Sequence, residues 1–442
     1  MLTNGSVHAR RTPSQVITAL LGGFLLELSF FLMRRLGNLE LYVVEFITAA
    51  LAAGIVYFIC VYLFEHARDS RAGLWLILAA AVLFRVTLLS LAPTLSEDLY
   101  RYRWDGRIQL AGWNPYALRP DDPRLRSLHK PRESHFPGSD IPSIYPPLAE
   151  LSFRAAARLL PSPRAFKLPI AAADLAVLFL LAAWLRRTGG RNYQLAVYAW
   201  NPLVVVEFAG SGHSEALTLA ALVAAYVIIR SRPTLSTLGL AAAALLKSFP
   251  VMLFPAWLRR NGWPASRRSW GDTFAAAALA AACFWPYRSA LGQIHQTMSY
   301  YESRWQNNNA SLYAILAAFS GSHELAAGIG VGVAVGLALW AAWRKMDPTR
   351  AAYLIIGAIL MFTPNAYSWY FTWIIPFLCF FPNPAWLLLT ILQFLSYEVL
   401  INYQAFGQFQ FNPKYVFLTY APFYALLLGE FFSRKTLPPI HR

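Results

Sequence analysis

The residue types best suited to chemistry lie in residues 94–116, a polar stretch that separates two apolar parts of the chain. Its sequence, TLSEDLYRYRWDGRIQLAGWNPY, holds the carboxylates Glu97, Asp98 and Asp105 together with three arginines and three tyrosines. A carboxylate can move a proton, and neighbouring guanidinium groups can bind an anion. This stretch is therefore the first candidate for a functional site.

The same stretch predicts a helix. Thr94 and Glu97 have the spacing of a capping box, and Gly112 is typical of a helix end, so we expect the helix to lie between them. With Glu97 used as the capping partner, Asp98 is the freer acid. An acidic first turn followed by arginines also stabilises an ordinary solvent-exposed helix through its dipole, which is the alternative interpretation. One face of the helix would gather Asp98, Arg101, Tyr102 and Asp105.

The composition indicates an all-α polytopic membrane protein. Of the 442 residues, 57% are hydrophobic and only 14% are charged. Apolar runs of about 17 to 25 residues recur along the chain, and each can cross a bilayer as a helix. The net charge of +16 fits basic cytoplasmic loops, so no nucleic-acid partner is expected. Cys60, Cys283 and Cys379 lie in apolar runs, without the spacing of a disulfide framework or a metal site.

Loop charges orient the expected spans. Basic residues precede the first span and follow the second, so the amino terminus is expected in the cytoplasm. With about twelve spans in the chain, the carboxyl terminus is expected there too. The chain then forms a single integral membrane domain, residues 1–442, in which residues 94–145 and 289–322 are outer loops. The first outer loop is rich in arginine against the usual trend, and binding an anionic ligand is the natural use of such charge.

Residues 234–258 do not fit a single span, because Lys247 and Pro250 lie in the middle and both flanking loops are basic. We predict a re-entrant hairpin of two half-length helices that turns at the sequence KSFP. A lysine at membrane depth is costly and is expected to be functional, unless its long side chain reaches an interface.

Two further turns carry polar side chains between apolar runs. The sequence EFAGSGHSE holds Glu207, His213 and Glu215 in a glycine-rich connection. The sequence TPNAYSWY, residues 363–370, lies between two runs of about 14 residues that barely cross a bilayer. Such short runs favour a turn recessed into the membrane, or a cavity there.

These stretches together resemble the polytopic glycosyltransferases that use lipid-linked sugars (the GT-C fold), in particular the bacterial polyprenyl-phosphate-mannose-dependent mannosyltransferases. The resemblance implies a GT-C-like helical bundle with extracytoplasmic catalytic loops. Two positions depart from the family: Glu215 stands where relatives often have Asp, and Tyr367-Ser368 stand where they often have His-Pro. The segments that carry the resemblance are EDLYRYRWDGR with GWNPY (97–116), YPPLA (145–149), WNPLVVVEFAGSGHSEAL (200–217), LAAAALLKSFPVMLFP (240–255) and TPNAYSWYFTWIIP (363–376).

In that family an acidic residue of a large outer loop is the catalytic base. It corresponds here to Asp98, with Glu97 and Asp105 as alternatives. Partial burial would raise the pKa of such a carboxyl toward a useful value, and cationic donors would stand behind the leaving phosphate. The residues expected to bind substrate are Arg101, Tyr102, Arg103, Tyr145, Glu207, His213, Lys247, Tyr367, Trp369 and Tyr370.

The resemblance implies an inverting transfer of a hexose, most commonly mannose in the family, from a polyprenyl phosphate to a lipid or glycan acceptor. The reaction would take place at the outer face of the bacterial inner membrane, where nucleotide sugars are absent. The expected partners are membrane lipid, the polyprenyl-phosphate sugar and the acceptor. No cofactor and no essential metal are expected, although Asp98 and Asp105 could bind one.

Other function classes fit part of the pattern. A transporter or flippase of an anionic lipid-linked substrate would also have broken helices, an intramembrane lysine and an arginine-lined vestibule. An inverted internal repeat would favour transport, and none is evident in the sequence. A polymer ligase that uses lipid-linked glycans is a closer enzymatic alternative. A structural scaffold would leave the carboxylate cluster unexplained.

Overall fold

A computed structural model describes residues 13–129, 138–160, 162–304 and 311–436. Both chain ends, whose cytoplasmic location the loop charges predict, extend beyond these residues, as do parts of the two predicted outer loops (residues 130–137 and 305–310). Every regular element in the described ranges is helical, which confirms the all-α prediction. The α-helices, in chain order, are α1 (Gln15–Leu36), α2 (Val43–His66), α3 (Arg71–Leu89), α4 (Asp98–Leu110), α5 (Pro147–Leu159), α6 (Pro163–Phe166), α7 (Leu168–Arg187), α8 (Asn192–Ala199), α9 (Pro202–Val204), α10 (Glu215–Ile228), α11 (Pro233–Leu246), α12 (Phe254–Arg260), α13 (Arg267–Phe284), α14 (Leu291–Arg304), α15 (Leu312–Ser320), α16 (His323–Trp343), α17 (Pro348–Phe362), α18 (Ile375–Leu378), α19 (Pro384–Leu392), α20 (Val399–Phe406) and α21 (Pro413–Thr436).

Seven of the described helical segments are long and apolar enough to cross a membrane. Many of their large apolar side chains are exposed, among them Leu21 and Phe24 of α1, as expected for surfaces that face lipid. The chain is therefore a polytopic membrane protein. The seven segments are Gln15–Leu36, Val43–His66, Arg71–Leu89, Pro163–Arg187, His323–Trp343, Pro384–Phe406 and Pro413–Phe432.

Several of the twelve expected spans fall on shorter or broken helices. Pro202–Ser211, Glu215–Ile228 and Pro348–Phe362 are apolar helices of fewer than 18 residues. Within the first of them the chain adopts a π-helix, Val205–Ser211. A 3-10 helix, Ser368–Trp373, interrupts the expected span near 369–382. Irregular backbone at membrane depth is tolerated only where protein or a cavity surrounds it, so these breaks indicate where a cavity lies.

The segment predicted as a hairpin does break at Lys247. Helix α11 ends one residue earlier, Lys247 is extended with φ −151° and ψ 142°, and a 3-10 helix, Phe249–Leu253, leads into α12. After α12 the Asn261 side-chain amide donates to the Thr237 hydroxyl near the start of α11, at 3.3 Å. The chain therefore returns to the end of the bundle from which it came.

Helix α4 begins later than the sequence suggests. The capping-box prediction is wrong, because the Thr94 hydroxyl accepts a hydrogen bond from the distant Leu39 backbone N–H at 3.0 Å. Glu97 is the residue before the helix and its side chain makes no capping hydrogen bond. The predicted stop is right: α4 ends just before Gly112, which has a positive φ of 86°.

Helix α4 packs tightly on α5. A Cβ atom at Gly106 would lie only 2.3 Å from the backbone oxygen of Phe153, so the two helices approach closely enough to require glycine. The remainder of the loop has a small core of its own around Trp104 and Leu125, which are fully buried. The described part of the first outer loop is thus folded and packs against the bundle.

Lys167 joins three elements at the point where the π-helix meets α3. Its ammonium is fully buried and donates to four backbone oxygens at 2.7 to 3.3 Å. Those oxygens belong to Leu88 and Leu91 at the end of α3, and to Ala209 and Gly210 in the π-helix. Carbonyls at broken helix ends lack intrahelical hydrogen-bond donors, and the Lys167 ammonium supplies the missing donors.

Replacing Lys167 by Met should destabilise the protein, because it leaves buried carbonyls without donors at a cost on the order of 2 kcal/mol or more. The measurement is the thermal unfolding midpoint of the purified protein in detergent, with Lys414→Met as the control because Lys414 is exposed. Equal midpoints for the two variants would contradict this account of Lys167.

Candidate active site

A cavity of about 530 Å³ opens beside the start of α4. Segments far apart in the chain contribute to its wall, including the start of α4, the Lys247 break and the turn before residue 370. Many residues predicted to form a site meet there. Those that line the cavity are Glu97, Asp98, Arg101, Tyr145, Lys247, Tyr367, Trp369 and Tyr370.

Asp98 is the first residue of α4 and faces the cavity, partly buried. The Tyr102 hydroxyl, one turn later, donates to its Oδ2 at 3.3 Å. Burial raises the pKa of the Asp98 carboxyl, and the nearby positive charges of His213 and Lys247 oppose that rise without cancelling it. A carboxylate with a raised pKa is suited to accept a proton.

Lys247 occupies the opposite side of the same cavity. Its ammonium forms an ion pair with Glu215 at 2.7 Å and lies 5.0 Å from the centre of the Tyr370 ring. The Lys247 side chain is 17% exposed and lines both cavities, while Glu215 is buried. Lys247 therefore points inward and does not reach to an interface.

Glu207 and His213 lie behind the cavity wall, where both are buried. The His213 Nδ1 lies 3.0 Å from Glu207 Oε2, and the hydroxyls of Ser368 and Tyr397 each donate to Glu207 Oε1 at 2.8 Å. The His213 ring stacks on Trp369 with centroids 4.1 Å apart. The π-helix and the 363–370 turn are thereby fixed to each other.

Asp105 and Arg103 are not among the residues that line the cavity. Both oxygens of Asp105 accept from Arg101 Nε, at 3.0 and 2.9 Å. Asp105 also lies beside Glu150 of α5, which accepts from the Ser143 hydroxyl at 2.5 Å and from Gln109 at 2.8 Å. Burial and the Asp105 charge hold the pKa of Glu150 well above its usual value.

A second cavity of about 640 Å³ adjoins the first. The two share Ile144, Tyr145, Lys247, Tyr301 and Tyr370. Beyond that junction the lining comes from α11, α13 and α14 and is largely apolar, with residues such as Ala241, Leu245, Ala277 and Phe284. A chamber that contains charged side chains thus continues past Lys247 into a more apolar groove.

Residues 14–259 match the sequence model of the family described as alpha-(1->6)-mannopyranosyltransferase, N-terminal domain. The match covers more than half of the chain. The chain belongs to this family. It is a glycosyltransferase that transfers mannosyl groups, and the matched segment includes Asp98, Glu207, His213 and Lys247. A comparison with curated proteins gives no match. Family membership favours the enzyme over the transporter that the broken helices also suggested.

The cavity residues of the mannosyltransferase that escaped prediction include Glu40 before α2, Tyr301 in α14 and Tyr397 in the 3-10 helix Gln393–Glu398. Glu40 and Tyr397 are isolated polar groups beside apolar runs, which is the signal that could have drawn attention to them. Among the described residues, no group of three His, Cys, Asp or Glu side chains could hold a metal ion.

The Asp105–Glu150 pair predicts an asymmetry between two isosteric substitutions. Glu150→Gln should destabilise the mannosyltransferase by only about 1 kcal/mol, because the amide keeps a donor toward Asp105 and loses one of the two oxygens that accept from Ser143 and Gln109. Asp105→Asn should destabilise it more, by about 3 kcal/mol, because Arg101 loses the buried carboxylate that accepts from its Nε. Thermal unfolding in detergent compares the two, and equal losses would contradict this assignment of the proton.

Proposed function

We propose that the mannosyltransferase moves a mannosyl group from a polyprenyl phosphate to an acceptor hydroxyl by direct displacement, with Asp98 as the base. The observation that carries the proposal is the position of Asp98 in a cavity that also contains Lys247 and continues past that lysine into an apolar groove. A chamber with a few charged side chains, joined to a more apolar groove, suits a donor with a sugar head and a hydrocarbon tail.

The donor would lie with its isoprenoid chain in the second cavity, whose lining of alanine, leucine and phenylalanine side chains suits hydrocarbon. Its phosphate would then reach the junction at Lys247, where an ammonium with three donors can bind it while still paired with Glu215. Tyr145, Tyr301 and Tyr370 surround the same junction. This arrangement would place the mannosyl head in the first cavity, beside Asp98.

In the reaction the acceptor hydroxyl gives its proton to the Asp98 carboxylate as its oxygen bonds to C1 of the mannosyl group. The bond from C1 to the phosphate oxygen breaks, and its electron pair leaves with the polyprenyl phosphate. Lys247 would stabilise the negative charge that develops there. Attack opposite the leaving group inverts the configuration at C1.

The charges of the loops give the proposed orientation. Basic residues such as Arg187, Arg191 and Arg260 lie at the end of the bundle away from the cavity, where Arg187 bonds to the backbone of Val227 and Arg191 pairs with Asp69. The positive-inside rule puts that end in the cytoplasm. The cavity would then open at the outer face of a bacterial inner membrane, with both termini cytoplasmic.

Asp98→Asn should abolish transfer of radiolabelled mannose from polyprenyl-phosphate-mannose, lowering the rate by about 10²- to 10⁴-fold, because no base remains for the hydroxyl proton. Asp121→Asn is the matched control, since Asp121 is exposed in the same loop and pairs with Arg119, whose side chain is also exposed. Unchanged transfer in a folded Asp98→Asn protein would move the base to Glu97. Movement of lipid or anion with no sugar transfer would favour the transporter.

Lys247→Met should slow transfer by about 10²-fold, because the leaving phosphate loses its cation. It should also move the acidic limb of the pH–rate profile to higher pH. The Lys247 charge lowers the pKa of Asp98, so its removal lets that pKa rise further and the base is protonated at higher pH. Lys247→Arg, which keeps the positive charge, should keep the wild-type limb. An acidic limb that is the same in all three proteins would contradict the assignment of Asp98 as the titrating base.

A further inference from the structure

The first cavity has a second end, away from Lys247, that the proposed donor does not use. Three separate segments form it: Glu40 before α2, Thr94 to Glu97 before α4, and the stretch around Tyr403 and Phe409. The segments are tied together, because Thr94 bonds to the Leu39 backbone and the Gln404 amide donates to the backbone oxygen of Glu40. This end of the cavity, called the open end below, is therefore formed by segments that hydrogen bonds hold together.

The lining of the open end combines carboxylates with aromatic rings. Glu40 and Glu97 lie within electrostatic range of each other and of Tyr403. The Tyr403 and Phe409 rings meet edge to face at 5.9 Å. Aromatic surface with a few well-placed polar groups is typical of small-molecule sites, and carboxylates are strong acceptors for hydroxyl donors.

Charge divides the cavity into two unlike halves. Lys247 lines the junction with the second cavity, whereas Glu40 and Glu97 line the open end, and Asp98 is an electrostatic neighbour of both Lys247 and Glu97. The other cation in the wall, Arg101, has its guanidinium engaged by Asp105 and by the Gly138 backbone oxygen at 2.8 Å. A phosphate-bearing molecule would thus meet an ammonium donor at one end and two carboxylates, which repel it, at the other.

We propose that the acceptor enters through the open end, where the Glu40 and Glu97 carboxylates bind hydroxyls of an uncharged glycan and exclude acceptors that carry a phosphate beside the reacting hydroxyl. The inference rests on the proposed function and adds to it the class of acceptor and the residues that select it. Burial, together with the charges of Glu40 and Asp98, raises the pKa of Glu97 to about 7. Exclusion of anions should therefore strengthen as the pH rises through that value.

The test is steady-state transfer from polyprenyl-phosphate-mannose to methyl α-mannobioside and to its monophosphate, using the full-length protein in lipid nanodiscs. Glu40→Gln and Glu97→Gln are each expected to raise the KM for the neutral disaccharide about tenfold, with the donor KM unchanged. In the double variant, the ratio of kcat/KM for the neutral acceptor to kcat/KM for the phosphorylated acceptor should fall at least tenfold. Rates are compared at about pH 8, where the raised pKa of Asp98 has less influence on kcat.

Glu45→Gln is the matched control, because Glu45 is an exposed carboxylate near the same end of α2 and does not line the cavity. An acceptor KM and an anion preference equal to wild type in the Glu40 and Glu97 variants would overturn the proposal. A change confined to the donor KM would overturn it as well, since it would place the donor at the open end.

Binding separates this inference from the proposed function. Titration calorimetry measures the affinity of methyl α-mannobioside for the donor-free protein without any transfer. If wild type binds the disaccharide and the Glu40 and Glu97 variants bind it about tenfold more weakly, the acceptor end is supported even where transfer from polyprenyl-phosphate-mannose fails. If transfer proceeds but the variants bind the disaccharide as wild type does, Glu40 and Glu97 do not bind the acceptor. The proposed function would still stand in that case.

Discussion

Every backbone group freed by a broken helix inside a bilayer must find a partner within the protein, and the site of this mannosyltransferase depends on that constraint. The π-helix and the end of α3 expose carbonyls at one place, and the buried Lys167 ammonium serves four of them. Because those carbonyls are satisfied, the chain can leave regular helix where Glu207 and His213 are needed. Hydrogen bonds and stacking then fix the 363–370 turn against the same two residues.

The site is thus formed by interrupted helices whose polar side chains pair with one another. The Lys247 break brings an ammonium to the cavity, and Glu215, at the start of α10, partners it. Asp98 opens α4, and Tyr102 bonds to it from the next turn. A regular bundle of long helices would provide neither the cavity nor polar side chains aimed into it, since continuous helices satisfy their own backbone and present apolar faces to each other.

Local spacing predicted the parts of the site that sequence neighbours determine. The break at Lys247 follows from a lysine and a proline inside an apolar run, and the Asp98–Tyr102 contact follows from i,i+4 spacing. Contacts between distant segments could not be predicted in this way. The spacing of Thr94 and Glu97 predicts a helix cap, but the Thr94 hydroxyl accepts a hydrogen bond from the Leu39 backbone N–H instead.

Asp105 shows the same limit of local reasoning. It shares a helix face with Asp98 by spacing, yet its surroundings are set by Glu150, which comes 45 residues later in the sequence and on another helix. Lys167 had no visible signal either, because a lysine before an apolar span usually marks a membrane interface. In both cases the partner that decides the role of the side chain is brought by tertiary packing.

The Gly106–Phe153 contact has a consequence for how the substrate range of this enzyme can vary. Backbone touches backbone there, so side-chain replacements on α4 or α5 have little freedom to change the spacing of the two helices. The wall that carries Asp98 and Tyr145 is therefore a fixed reference surface. Variation in the size or shape of the substrates then depends on the stretch from Tyr403 to Phe411, whose side chains line the cavity and belong to neither of these two helices.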